Sequence, residues 1–138
     1  MDVARLLANP RFKWQRRPAP VRSALDAFAS AAPKNLPITY LRLLEACDGG
    51  SGANPFGVGE VVIWSVAEVL ERNRTERVEA RWPGFFAVGV AAPEQLLGFD
   101  LREPDGAPVC VFDGATPRVL ASSFSEFLQS IALRGGPA

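Results

Sequence analysis

The stretch Asp48–Trp64, DGGSGANPFGVGEVVIW, decides how the chain is read. Its glycines, Gly49, Gly50, Gly52, Gly57 and Gly59, are dense enough to cradle a phosphate or to separate two structural elements. A phosphate loop needs a strand before it and a helix after it, so that free N–H groups at the helix start meet the anion. Here the order is reversed. The stretch follows the helical pattern LPITYLRLLEAC (36–47) and feeds the strand pattern EVVIWS (60–65). A helix C-terminus carries partial negative charge and repels phosphate. The loop has no G-K-[ST] ending, and the residue after its last glycine is Glu60, not a cation. It is read as a helix stop at Gly49 or Gly50, followed by a flexible connection into the first strand.

Upstream, Val21, Leu25, Phe28, Ala29 and Ala32 repeat at helical spacing, and Pro33 ends that helix. Pro37 opens the next one, whose core face is expected to carry Ile38, Leu41, Leu44 and Cys47. Downstream, Ser65 and Glu68 have the S-x-x-E spacing of a capping box, so a short helix should run to about Asn73. Residues 74–82, RTERVEARW, alternate charge as a solvated face or loop, and Pro83-Gly84 breaks the chain.

The second half is strand-rich: FFAVGVA (85–91), QLLGFDL (95–101), VCVFD (109–113) and RVLA (118–121), with Asp105-Gly106 as a hairpin turn. Connections this short join antiparallel neighbours. Ser123 and Glu126 cap a last helix whose apolar face is Phe124, Phe127, Leu128 and Ile131. The expected fold class is α+β: a mostly antiparallel sheet of about five strands flanked by helices. Residues 1–20 are set apart as a basic, proline-containing arm, expected to be extended and to dock through Phe12 and Trp14, with one domain over residues 21–134.

Composition narrows the chemistry. The 138 residues contain no histidine, which removes the commonest general base near neutral pH, Ser-His and Cys-His nucleophile pairs, and most catalytic zinc sites. Cys47 lacks an activating partner, and two cysteines so far apart in a cytosolic chain are read as free thiols. Asp100, Asp105 and Asp113 near turns are compatible with acid–base work or a magnesium site, but turn formation explains them more simply. No metal and no cofactor is expected. Net charge is zero but uneven: residues 1–22 set six Arg and Lys against Asp2, a balance of +5, leaving −5 for the rest. The cations lack a helical face or interleaved aromatics, so the arm is read as solvated rather than as a nucleic-acid or membrane contact. No apolar run reaches the roughly 18 residues of a membrane span. The first residues lack a secretory pattern, so a cytoplasmic location is expected.

The order of these segments resembles the SUKH superfamily, the cell-wall-assembly regulator and bacterial immunity protein family. Leu36, Pro37, Tyr40, Leu44, Gly49 and Gly50 stand where that family has its Leu-Pro, aromatic, short helix and glycine pair, with Asp48 where Asn is frequent. VVIWSVAEVLERN, PGFFAVGV, LLGFDL (ending at Asp100) and PVCVFD are similar to its successive elements, and VLASSFSEFL to its closing motif through Ser123, Phe124 and Phe127. Two departures stand out: AAPEQ replaces a tight glycine turn, and residues 1–20 have no counterpart.

The resemblance implies a non-catalytic protein-binding domain, of which bacterial members commonly neutralise toxins of polymorphic or contact-dependent secretion systems. The leading expectation is therefore an immunity protein with a cognate protein toxin as partner; the acidic body would suit a nuclease toxin. The alternatives are a regulatory or scaffold module with a housekeeping partner and, further off, a small-ligand or carboxylate-based enzyme role. The candidate partner-binding residues are Asp48, Glu60, Asp100, Glu103 and Asp105, acidic and near turns, with Trp64 as an aromatic anchor.

Overall fold

The computed structural model describes residues 2–92, 94–103, 106–113 and 116–134. Along the chain these form α1 (Val3–Ala8), α2 (Arg22–Ala31), α3 (Ile38–Cys47), β1 (Gly50–Ala53), β2 (Glu60–Ile63), α4 (Val66–Thr75), α5 (Val78–Arg81), β3 (Phe85–Ala91), β4 (Gln95–Asp100), β5 (Val109–Asp113), β6 (Thr116–Ala121) and α6 (Phe124–Arg134). The fold is α+β. The strands make one antiparallel meander in the order β1-β2-β3-β4-β5-β6.

The sheet has six strands rather than five, and the additional one is β1, inside the glycine stretch. Gly50–Ala53 pairs with Glu60–Ile63 across a hairpin loop, with Gly50 opposite Ile63 and Ala53 opposite Glu60. The loop is closed by Asn54 N–H donating to Gly59 O at 2.9 Å, while the Asn54 side chain accepts from Phe56 N–H at 2.9 Å. An Asx turn thus does what a backbone turn would. Phe56 at the tip stacks on Phe127 of α6, ring centroids 5.9 Å apart.

The helix stop comes one residue earlier than the glycines suggest. Asp48 itself is left-handed, with φ 52°, and its N–H bonds to Leu44 O. Gly49 follows at φ 89°, and a Cβ there would lie 2.3 Å from the Ile63 carbonyl oxygen, so glycine is demanded by space as well as by dihedral.

The core face of α3 is rotated from the expected one. Tyr40, Leu43, Leu44 and Cys47 are fully buried, whereas Ile38 is 62% exposed. The buried set keeps i, i+3, i+4, i+7 spacing, with Tyr40 as its first member. Tyr40 packs edge-to-face on Phe99 of β4 at 5.3 Å and on Phe124 of α6 at 5.7 Å, and Phe99 meets Phe124 at 5.5 Å. This aromatic triangle fastens two helices to one face of the sheet. On α2, Phe28 and Ala32 are buried, Leu25 is half-buried, and Val21 and Ala29 face solvent.

Residues 74–82 are more regular than a loop: α4 continues to Thr75, and α5 follows directly. Asn73 explains why these helices sit against β3. Its amide donates to Ala87 O at 2.7 Å and accepts from Ala87 N–H at 2.9 Å. β2 pairs with β3 only as far as Ile63–Gly89, so one side chain satisfies the strand backbone where the neighbouring strand ends.

The arm is not wholly extended. Asp2 caps α1, which packs on α3. Beyond it Gln15 forms an antiparallel bridge with Ser51, through hydrogen bonds of 2.7 and 3.1 Å. Phe12 and Trp14 are buried and stack on each other at 5.5 Å.

Candidate partner-binding surfaces

Two capping carboxylates organise the junction beneath the glycine stretch. Asp48 Oδ1 accepts the N–H of Val66 at 2.8 Å, tying the end of α3 to the start of α4. Glu68 accepts from the Ser65 hydroxyl at 3.0 Å and from Ser65 N–H at 3.4 Å, as its capping position requires. Glu68 also receives Arg17 Nη1 at 2.9 Å. The Arg17 hydrogen bond, helped by those from Ser65, holds the Glu68 carboxyl below the usual carboxylate range against its partial burial. Arg17 and Asn73 carry roles that no motif announced; the only sequence signal for the first was a surplus of cations in the arm.

Trp64 is 2% exposed, so its ring offers almost no surface to a partner. Arg72 covers it, with the guanidinium carbon 5.4 Å from the ring centroid. Glu60 is exposed at the start of β2. It stands on the rim of an open groove of about 390 Å³, together with Glu76 and Glu94. The groove floor is Val90 and Leu96, which face each other across β3 and β4, with Trp64 beneath Arg72 at its side.

Asp100 ends β4 and is opposite Phe85, at the far end of β3 from Glu60. Along a seven-residue strand that is a separation of about 20 Å. The Asp100 carboxylate is occupied: it accepts Arg102 Nε, Nη2 and N–H, each at 3.0 Å. The Arg102 contact holds it below the usual range. The same guanidinium lies 4.8 Å over Phe85. Phe85 meets Phe112, which meets Trp82 at 4.9 Å, and Arg81 lies 4.2 Å over Trp82. Glu103 is exposed nearby, and Asp105 lies outside the described residues. The candidates are thus spread over both ends of the sheet rather than gathered in one patch.

Both cysteines are free and buried. Burial pushes the Cys47 thiol up, and pushes Cys110 up to about 11, so neither is a ready nucleophile near neutral pH. No helix among the described residues is long and apolar enough to cross a membrane.

The glycine stretch and its neighbours are the frame of a known family. The model of the SMI1 / KNR4 family (SUKH-1) matches residues 22–130. The chain belongs to the SUKH-1 family. The match starts at the first residue of α2 and ends within α6, so this SUKH-1 chain carries α1 and the Trp14–Gln15 segment outside it. A comparison with curated proteins found no match.

Proposed function

We propose that this SUKH-1 protein is a non-catalytic binding domain that neutralises a cognate protein toxin by direct association in the cytosol. Family membership supports a protein-binding role, and the bacterial members it resembles are commonly immunity proteins. The observation that carries the choice of surface is the groove between Glu60, Glu76 and Glu94. It joins an apolar floor at Val90 and Leu96 to three carboxylates and one cation, Arg72, on an open rim with a net negative balance. An apolar centre supplies affinity, and a charged rim supplies steering and discrimination. Its complement is a basic, partly apolar surface, which a nuclease toxin presents where it binds phosphate.

Glu60 and Glu94 are the contacts to test, because both are exposed. Asp48 acts as a cap, Trp64 lies beneath Arg72 at the side of the groove, and the Asp100 carboxylate is held by Arg102; Glu103 is exposed at the other end of the sheet. The experiment is to sequence the reading frames beside this gene and co-express the chain with any toxin-like product they encode; the absence of such a neighbour would remove the toxin from the proposal. Wild-type chain should rescue growth, and the double charge reversal Glu60→Lys/Glu94→Lys should lose rescue with an unchanged melting temperature. Rescue by the double variant removes the groove from the proposal, and failure of the wild-type chain to rescue removes the toxin.

A further inference from the structure

Gly50 and Gly52 lie on the same side of β1, and what they leave open is filled by Trp14. A Cβ on Gly50 would stand 2.3 Å from the indole Nε1, and one on Gly52 would stand 2.7 Å from Cε3. The same Gly52 position lies 3.5 Å from Ile131 of α6, so the indole is wedged between a bare strand and a helix. Its N–H donates to Gly49 O at 2.9 Å. The outer edge of β1 is therefore not free. Gln15 pairs with Ser51, Arg17 N–H donates to Cys47 O at 3.2 Å, and the Arg17 guanidinium reaches Glu68 at 2.9 Å.

Main-chain hydrogen bonds along a sheet edge, a pocket for one side chain and a charge partner beyond it are the elements of strand-addition recognition. We propose that the edge of β1 is a strand-addition site, filled in this chain by its own residues 12–17, and that the arm opens as a unit to admit an extended partner peptide of the same chemistry. That peptide carries tryptophan, whose N–H reaches Gly49 O, and arginine three residues later, which reaches Glu68. At the place of Gln15 it needs a residue with an N–H, so proline is excluded there.

Three features favour opening over a permanent bond. The arm supplies no member of the Tyr40–Phe99–Phe124 triangle. It joins the body through Pro18-Ala19-Pro20, outside any helix or strand. It precedes the residues matched by the family model, which contain both the seat and Glu68. The proposal is independent of the Glu60 groove and needs no toxin.

The test uses the full chain. Native-state hydrogen exchange should show the Ser51 amide exchanging about 100-fold faster than those of Leu97 and Phe99, through local opening. A labelled peptide of residues 10–19 should bind Trp14→Ala chain at least about tenfold more tightly than wild type, where the seat is occupied in cis. Adding Gly52→Val to Trp14→Ala should abolish that binding, as should replacing the peptide's tryptophan by alanine. Exchange of Ser51 only at the global unfolding rate would overturn the proposal. So would equal binding to wild type and Trp14→Ala, or no binding to a Trp14→Ala chain shown by circular dichroism to be folded. Should Trp14→Ala not fold, the exchange measurement on the unaltered chain decides alone.

Discussion

The two ends of the core are built on opposite principles. Around Tyr40, Phe99 and Phe124, large side chains from α3, β4 and α6 interlock, all fully buried. At β1 the strand contributes almost no side chains, and Gly50 and Gly52 make room for the indole of Trp14, distant in sequence, whose N–H bonds Gly49 O 35 residues away. The first region is held by apolar volume distributed over three elements. The second is held by one wedge backed by the buried Phe12 ring, a few backbone hydrogen bonds and a partly exposed ion pair. Loss of the first should therefore be felt everywhere, and loss of the second mainly at the edge.

The largest expected effect comes from Phe99→Ala, which should cost about 3–5 kcal/mol in chemical denaturation and lower hydrogen-exchange protection across the sheet. Trp14→Ala should cost less, about 2 kcal/mol, because the site can collapse or fill with water at an open edge. Its loss of protection should be confined to Ser51 and its neighbours. Equal and equally widespread losses from the two variants would erase the distinction between the regions.

Tyr40→Phe probes the same triangle from the other side. The Tyr40 hydroxyl is buried with no hydrogen-bond partner among the described residues, and burial raises its pKa strongly. Leaving such a group unpaired carries a desolvation cost of about 1–3 kcal/mol. Phenylalanine should therefore raise stability by up to about 1 kcal/mol, read as a higher denaturation midpoint. A loss on Tyr40→Phe would mean that the hydroxyl is satisfied in solution.

The smallest effect is electrostatic and belongs to the edge. Glu68 has a depressed folded-state pKa, chiefly through Arg17. Its contribution is present above the unfolded glutamate pKa of about 4.3 and is lost as pH falls through the lower folded value. The pair is substantially exposed, so Arg17→Gln should cost less than about 1 kcal/mol at pH 7. The difference between variant and wild type should shrink as pH falls below 4, as followed by urea midpoints. A constant difference down to acid pH would assign the effect to arm ordering rather than to charge.

What the sequence disclosed follows the same division. Elements made by side-chain periodicity were legible: α2, α6, the Ser65–Glu68 capping box and the strands from β2 onward all stand close to their expected places, whereas at α6 Ser123 accepts from Glu126 N–H but the Glu126 carboxylate turns to the Ser122 hydroxyl. The α3 face was misplaced because aliphatic residues were weighed above Tyr40, whose ring outranks Ile38 in buried area. β1 was illegible because GSGA has neither alternation nor β-branched residues; its pairing comes from β2, and its glycines from the indole above it. Asn73, Asp48 and Arg17 act through contacts 14 to 51 residues distant in sequence, which no local pattern reports. Of the proposed surface, Glu60 was visible as an exposed acid, whereas Glu76 and Glu94 join it only once the sheet is folded.

The reading of GSGA (Gly50–Ala53) as a bare strand that seats Trp14 is tested most directly by a double-mutant cycle on Trp14→Ala and Gly52→Val, followed by denaturation. In the wild-type background Gly52→Val should cost at least about 2 kcal/mol, because its Cβ would overlap the indole. In the Trp14→Ala background that cost should fall by at least about half, a coupling on the scale of residues in direct contact. Costs that simply add would contradict the seat and return the glycines to the role of a spacer.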